Sequence, residues 1–237
     1  MTTILVTGAT GTVGRHVVAQ LVYKGVQVRA VSRNPERANL PEGVEVVAGD
    51  LMYPETLIPA FQGVTALYLI TSSDQAGATL ETNPQVVEIA EKAGVQRVSL
   101  LTVYGDGPVE QAIKNSRLEW TFVQPVGFMA NVIDDWQESI RKGRAVRKLG
   151  GETRGAIIHE ADIAAVFVET LLEKGHHGSF YTLTGPETLS TIEQVEIISK
   201  SIGKEIKFEE LTEEEARREW QEMGHNEESV DFFCSNE

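Results

Sequence analysis

Residues 3–18 read TILVTGATGTVGRHVV, an apolar run followed by Gly8, Gly11 and Gly14 within seven residues. Glycine loses more backbone freedom on folding than any other residue. Three of them where a strand should hand over to a helix therefore need a local reason. Before them lies a strand candidate, Ile4–Val6. After them Val13, Val17, Val18, Leu21 and Val22 recur at helical spacing, and Gly25 stands where a helix should end. In a β–α–β unit the first glycine of such a series permits the tight turn and the second lets the backbone approach a pyrophosphate. The third lets helix and strand pack closely. The N–H groups at the helix start, backed by its dipole, then hold the anion. The spacing predicts a dinucleotide site, with Thr10 and Thr12 adding hydroxyl donors.

The same rhythm continues outward. Val26–Val31, Val44–Val47, Ala66–Ile70, Val98–Leu101 and Thr121–Val123 read as strands between helix-length segments. One of those helices opens at Asn83-Pro84, buries Val86, Val87, Ile89 and Ala90, and ends at Gly94. Repeated β–α order predicts the α/β class: a Rossmann-like, doubly wound parallel sheet covered on both faces. After Pro125 the pattern weakens. A helix from about Val132 to Lys142 precedes a basic stretch, and a buried helix follows with Asp162 near its start. FYTLTG then reads as a late strand, STIEQVEIISKSIG as a helix stopped by Gly203, and LTEEEARREW as a helix opened by a Thr212-x-x-Glu215 capping box. The expected division is a nucleotide-binding domain of residues 1–125 plus about 155–175. A small C-terminal α/β lobe for the substrate takes about 126–154 plus 176–237.

At the end of the second strand of such a unit, a carboxylate usually accepts from the ribose 2′-hydroxyl. Here VRAVSRNPER places Ser32 and Arg33 there, and no acid. A guanidinium fork suits a phosphate, so the expected cofactor is NADP(H) rather than NAD(H). Arg15 and Arg37 stand nearby in sequence as helpers or as exposed charges. Asp50, in VVAGDL, reads either as an acceptor for the adenine amino group or as a turn cap.

Charge narrows the partners. The chain carries a net −14, and residues 205–237 alone hold twelve acids against Lys207, Arg217 and Arg218. Such a surface repels phosphate backbones, so no nucleic acid is expected. The basic stretch Arg141, Lys142, Arg144, Arg147 and Lys148 reads as solvated surface or as a docking patch for a protein partner or phosphate. The longest apolar run, Ile163–Val168, falls far short of the roughly 20 residues that span a bilayer, so no membrane association is expected. A basic region followed by an apolar one is missing near the N-terminus, and Cys234 is the only cysteine. A cytoplasmic location is the expectation. His159 and Asp162 are too few for a metal site, and His159 reads as satisfying a strand end.

TGATGTVGR, SRNP, AGDL, EQAI with LEWTFVQPVGFMANV, HEADIAA and YTLTGPETLS together resemble the NmrA-like branch of the atypical short-chain dehydrogenases/reductases, from Thr3 to about Gly224. That family is similar to quinone-reductase-like and azoreductase-like proteins and to proposed sensors of the NADP(H) ratio. The resemblance implies cofactor contacts at Gly8, Thr10, Gly11, Thr12, Val13, Gly14, Ser32, Arg33, Asp50 and Leu51. It places Ile70, Thr71, Thr102 and Pro125–Phe128 at the border of the nicotinamide. Ordinary superfamily members pass a proton through a tyrosine four residues before a lysine. Tyr23, Tyr53, Tyr68, Tyr104 and Tyr181 are followed at that distance by Gln27, Leu57, Ser72, Pro108 and Gly185. By position Asp106 takes the tyrosine's place and Glu110 matches a glutamate that the NmrA-like pattern has near the lysine's. Tyr104 is the catalytic candidate, for stacking or weak acid work, and Phe128, Met129 and Asn131 are candidates for lining an acceptor pocket. The expected function is an oxidoreductase passing hydride from NADPH to a small conjugated acceptor, quinone or azo, without the tyrosine–lysine relay. A non-catalytic NADP(H) sensor acting on a protein partner, and a homo-oligomer, stay open.

Overall fold

The apolar run of the opening stretch forms β1 (Thr3–Val6), whose Ile4, Leu5 and Val6 are fully buried. The structure, a computed structural model, describes residues 2–71, 81–103 and 105–235. The chain continues as α1 (Gly14–Tyr23), β2 (Gln27–Ser32), β3 (Glu45–Ala48), β4 (Ala66–Ile70), α2 (Gln85–Lys92), β5 (Arg97–Leu101), α3 (Pro108–Lys114) and β6 (Glu119–Pro125). Then come α4 (Asn131–Arg141), β7 (Val146–Lys148), β8 (Arg154–Gly155), α5 (Glu160–Leu172) and β9 (Ser179–Leu183). The last elements are β10 (Leu189–Ser190), α6 (Thr191–Ile202), β11 (Phe208–Glu210), α7 (Glu213–Glu222) and α8 (Glu227–Ser235).

Seven strands pair in the order β3-β2-β1-β4-β5-β6-β9, every neighbour parallel. This is the doubly wound sheet expected from the β–α alternation. Strand order reverses between β1 and β4, and in such sheets the crevice beyond the carboxyl ends at that point is where ligands bind. Two compact units share the chain: Met1–Val126 with Ile158–Leu183, and Gly127–Ile157 with Thr184–Glu237.

In the first unit the side chains alternate between the two faces of the sheet, as the period of a strand requires. Leu67, Leu69, Val98 and Leu100 enter one buried cluster with Val86, Val87 and Ala90 of α2 and Val109 and Ile113 of α3. Their sequence neighbours turn the other way, towards α5. The Tyr68 ring meets Phe167 edge-on with centroids 4.7 Å apart, and the Ser99 and Thr170 hydroxyls lie 2.9 Å apart. Beside α5 lies α1, tied to it by Gln20 Nε2, which donates to the Ala161 carbonyl at 2.8 Å.

One boundary differs from the sequence reading, which gave residues 176–183 to the small lobe. Instead β9 pairs with β6, Phe122 opposite Phe180 and Pro125 opposite Leu183, and closes the edge of the main sheet. Aromatic packing holds it there: the Phe180 ring lies 5.5 Å from Trp120 and 5.3 Å from Phe122. The second unit has its own core of Trp136, Val146 and Val195, packed with Val132, Ile140, Ile198, Ile206 and Phe208. Its helices α6 and α7 both open with capping boxes, Ser190 with Glu193 and Thr212 with Glu215. No helix among the described residues is long and apolar enough to cross a membrane.

Candidate cofactor and active site

Where β1 ends, Thr7 is fully buried and makes three bonds to β4. Its N–H donates to the Tyr68 carbonyl at 3.1 Å and its hydroxyl donates to the same oxygen at 3.0 Å. The hydroxyl also accepts the Ile70 N–H at 3.3 Å. A side chain thus carries the ladder one bond further, and the backbone is released to turn. Gly8 makes that turn at φ +56°, and a Cβ there would stand 2.6 Å from Ile70 Cδ1. Gly11 closes it by donating to the Gly8 carbonyl at 2.9 Å. On Gly14 a Cβ would lie 2.1 Å from the Gly8 oxygen, a backbone atom that cannot give way. Turn and close packing therefore fall to the glycines that the spacing assigns to them.

The helix behind this turn starts unlike the later ones. The residue that caps α1 is Val13, whose side chain accepts nothing, and no acid stands in the first turn. The missing acid is what sets it apart: α2 to α7 all carry an acid in the first turn, although α2, α3 and α4 also lack a side-chain cap. A helix start with no protein carboxylate near it keeps its positive end for an outside anion. Thr10 is exposed on the turn, Thr12 is half-buried and Val13 is buried.

At the end of β2, Ser32 shapes the following turn. Its Oγ accepts the Asn34 N–H at 3.1 Å and its carbonyl accepts the Gly49 N–H at the same distance. Arg33 is exposed and has no ion-pair or hydrogen-bond partner among the described residues. Arg37 is also exposed, on the 3-10 turn Pro35–Arg37. Asp50 Oδ1 accepts the Met52 N–H at 2.9 Å, so this carboxylate caps its own turn, one of the two readings its position allowed. Leu51 beside it is buried.

Residues expected at the nicotinamide lie at the ends of β4, β5 and β6. The Ile70 and Thr71 carbonyls accept from the hydroxyl and the N–H of Thr82, at 2.7 and 3.1 Å. Thr102 follows β5 directly, its N–H donating to the Val123 carbonyl at 3.1 Å and its hydroxyl to the buried Glu110 carboxylate. Pro125 ends β6. Tyr104 lies outside the described residues. Asp106, at the position of the usual tyrosine, has both oxygens 2.7 Å from Lys114 Nζ and is thereby neutralised. Phe128, Met129 and Asn131 belong to the second unit, Asn131 opening α4.

One sequence reading is corrected. His159 does not satisfy a strand end; it caps α5, its Nδ1 accepting the Ala161 N–H at 3.0 Å. A histidine before a helical run can cap when its ring turns back, and only the helix start reveals this. The His159 ring meets His16 edge-on at 5.8 Å, and burial, with Arg15 nearby, lowers the His16 pKa below the usual histidine value. The basic stretch is exposed at Arg141, Lys142, Arg144 and Arg147, in keeping with the solvated-surface reading, and two of its residues form ion pairs within the second unit. Lys142 pairs with Glu138, and Arg147 with Glu219 and, at 3.1 Å, with Glu209. Two contributors escaped the sequence reading. Thr7 is a polar residue at a buried strand end, which is a visible signal; the pairing of Glu110 with Thr102 has none in the sequence. No group of His, Cys, Asp and Glu among the described residues could hold a metal ion.

A parallel sheet in this order, with a glycine crossover at the point of reversal, defines a Rossmann dinucleotide-binding protein. Residues 8–109 match the family model described as NAD(P)H-binding. The chain is 36% identical over 228 residues to the (4-alkanoyl-5-oxo-2,5-dihydrofuran-3-yl)methyl phosphate reductase of Streptomyces griseus, covering 90% of this chain and 79% of that protein. It is 33% identical over 244 residues to the NAD(P)H azoreductase of Xenophilus azovorans, covering 96% and 84%. The fold is shared with Citrobacter sp. triphenylmethane reductase, solved in complex with NADP(H): TM-score 0.77 at 24% identity over 98% of this chain and 87% of that one. The chain belongs to this family of NAD(P)H-binding oxidoreductases of the atypical short-chain dehydrogenase/reductase type, as its motifs imply.

Proposed function

We propose that the protein binds NADPH at the first crossover and reduces a small conjugated acceptor of the quinone or azo type. What carries this reading is the crossover: a positive-φ Gly8, a Gly14 packed on the Gly8 carbonyl, and a helix start free of acids. The backbone of Gly8 to Gly14, with Thr10, Thr12 and Val13, would hold the pyrophosphate. Arg33, with Ser32, would take the ribose 2′-phosphate, and Asp50 and Leu51 would meet the adenine. Ile70, Thr71, Thr102 and Pro125 would border the nicotinamide. NADPH bound there supplies the hydride for a two-electron reduction.

The protein's share is positioning, which converts an encounter in solution into an oriented one. No tyrosine in the chain is followed four residues later by lysine, so the proton that completes the reduction comes from water. An acceptor whose reduced form is stabilised by conjugation suits such a site. The relatives' names support that class: one is a reductase of a (4-alkanoyl-5-oxo-2,5-dihydrofuran-3-yl)methyl phosphate, and the other is an azoreductase. Mixing the pure protein with NADPH and a panel of quinones and azo compounds should deplete nicotinamide absorbance faster than a protein-free blank. No acceleration with any member of a broad panel would overturn the proposal.

A further inference from the structure

We infer that Glu110 is a positioning residue for the nicotinamide half of the cofactor, acting through the hydroxyl of Thr102. The inference rests on the NADPH reading above. Glu110 sits in the first turn of α3, and Thr102 directly after β5; each is only 4% exposed. A Cβ on Gly107 would come within 2.9 Å of Glu110 Oε2, so the carboxylate occupies space that any other residue at 107 would fill. Among the described residues no cation pairs with Glu110, and Lys114, one turn along the same helix, is engaged by Asp106. Burying a carboxylate without a cation is costly, and a buried apolar side chain would serve stability at least as well. The partner it does have is the Thr102 hydroxyl.

The consequence follows from donor and acceptor roles. The Thr102 hydroxyl donates to the Glu110 carboxylate and lies 3.3 Å from the Val103 carbonyl, both acceptors, so its single proton is committed within the protein. The hydroxyl oxygen then has only lone pairs left to offer. Its place cannot drift, because the Thr102 N–H is held by the Val123 carbonyl at 3.1 Å. The result is a fixed acceptor at the end of β5, and the chemistry it recognises is an amide or hydroxyl donor. On the cofactor, the donor of this kind that the nicotinamide itself carries is the carboxamide NH2. Glu110 thus sets the polarity of an acceptor at the end of β5 and takes no part in proton transfer.

The test compares NADPH with 2′-phospho-ADP-ribose, which has the same phosphates and adenosine but no nicotinamide. Calorimetric titration of E110L and T102V should show NADPH affinity lowered about tenfold, the loss typical of a hydrogen bond to a charged or oriented partner. Affinity for 2′-phospho-ADP-ribose should stay within about twofold of wild type, which also reports that the variant is folded. E110Q, which keeps an oxygen to accept from Thr102, should remain within about threefold for NADPH, and T102V/E110L should be no weaker than T102V alone. Equal losses for both ligands, additive losses in the double variant, or unchanged NADPH affinity in T102V would each overturn the inference. Should E110L fail to fold, T102V and E110Q decide the matter by the same criteria. A wild-type protein that binds neither ligand would instead remove the cofactor reading itself, an outcome the variants cannot mimic.

Discussion

Arg33 is the residue on which cofactor choice turns. It stands exposed just past β2 with no carboxylate engaging it among the described residues, and no acid occupies the place that a ribose-binding carboxylate would take. Arg33→Asp should therefore weaken NADPH by about 1.5–3 kcal/mol, roughly ten- to a hundredfold, while NADH changes far less. Fluorescence titration with both nucleotides checks this, and an unchanged NADPH affinity would show that the guanidinium serves another purpose. At this scale the glycines were readable because positive φ and a missing Cβ are demands that only one residue type meets. Asp50 was not: capping a turn and accepting from an adenine ask for the same side chain, and only the 2.9 Å bond from Met52 shows what it does in the fold. His159 misled for a similar reason, since its ring nitrogen can accept from many kinds of backbone N–H.

Among the elements, the junction of β1 and β4 is the one that holds the crossover in place. Thr7→Val keeps the shape of the side chain and removes a hydroxyl that serves both the Tyr68 carbonyl and the Ile70 N–H. The carbonyl keeps the Thr7 N–H, but the part-buried Ile70 N–H loses its acceptor. The expected cost is about 1–3 kcal/mol, seen as a lower midpoint in thermal or urea unfolding, together with weaker NADPH binding because the turn at Gly8 is less firmly held. A midpoint equal to wild type would mean that the ladder ends at β1 without this hydroxyl. Most elements could be read from local signals: short apolar runs, the helical stripe of α2, and the Thr212–Glu215 box that opens α7. The Ser190–Glu193 box carries the same signature at the start of α6. What local signals omit is the neighbour. Both β9 and α5 are apparent as elements, yet nothing within them says that one completes the main sheet beside β6 and the other covers the face opposite α2 and α3.

For the whole molecule the cofactor reading makes a thermodynamic claim. A ligand that binds only the folded chain stabilises it by mass action, by about 2.7 kcal/mol at a hundred times its dissociation constant. NADPH at that excess should raise the unfolding midpoint by several degrees for a chain of this size. Nicotinamide alone at the same concentration should leave it unmoved, because the anchoring lies in the phosphates and adenosine. A scan in which NADPH has no effect would contradict the proposed site. The acidic surface belongs to this scale as well. A net −14 disfavours nucleic acid, and part of the acid-rich segment, Glu209 and Glu219, is employed in neutralising Arg147.

By itself the sequence determined the class of fold, the place of the crossover and the absence of a tyrosine–lysine relay. Each of these is written in residue types and short spacings, where steric and hydrogen-bonding demands are local. Only the tertiary structure decided that Glu110 reaches Thr102, that Thr7 prolongs a ladder, and that Arg147 is held by acids 62 and 72 residues away. Those outcomes depend on which groups are brought within about 3 Å of one another and deprived of water. Burial and packing decide that, because no pattern along one segment specifies what the rest of the chain will set against it.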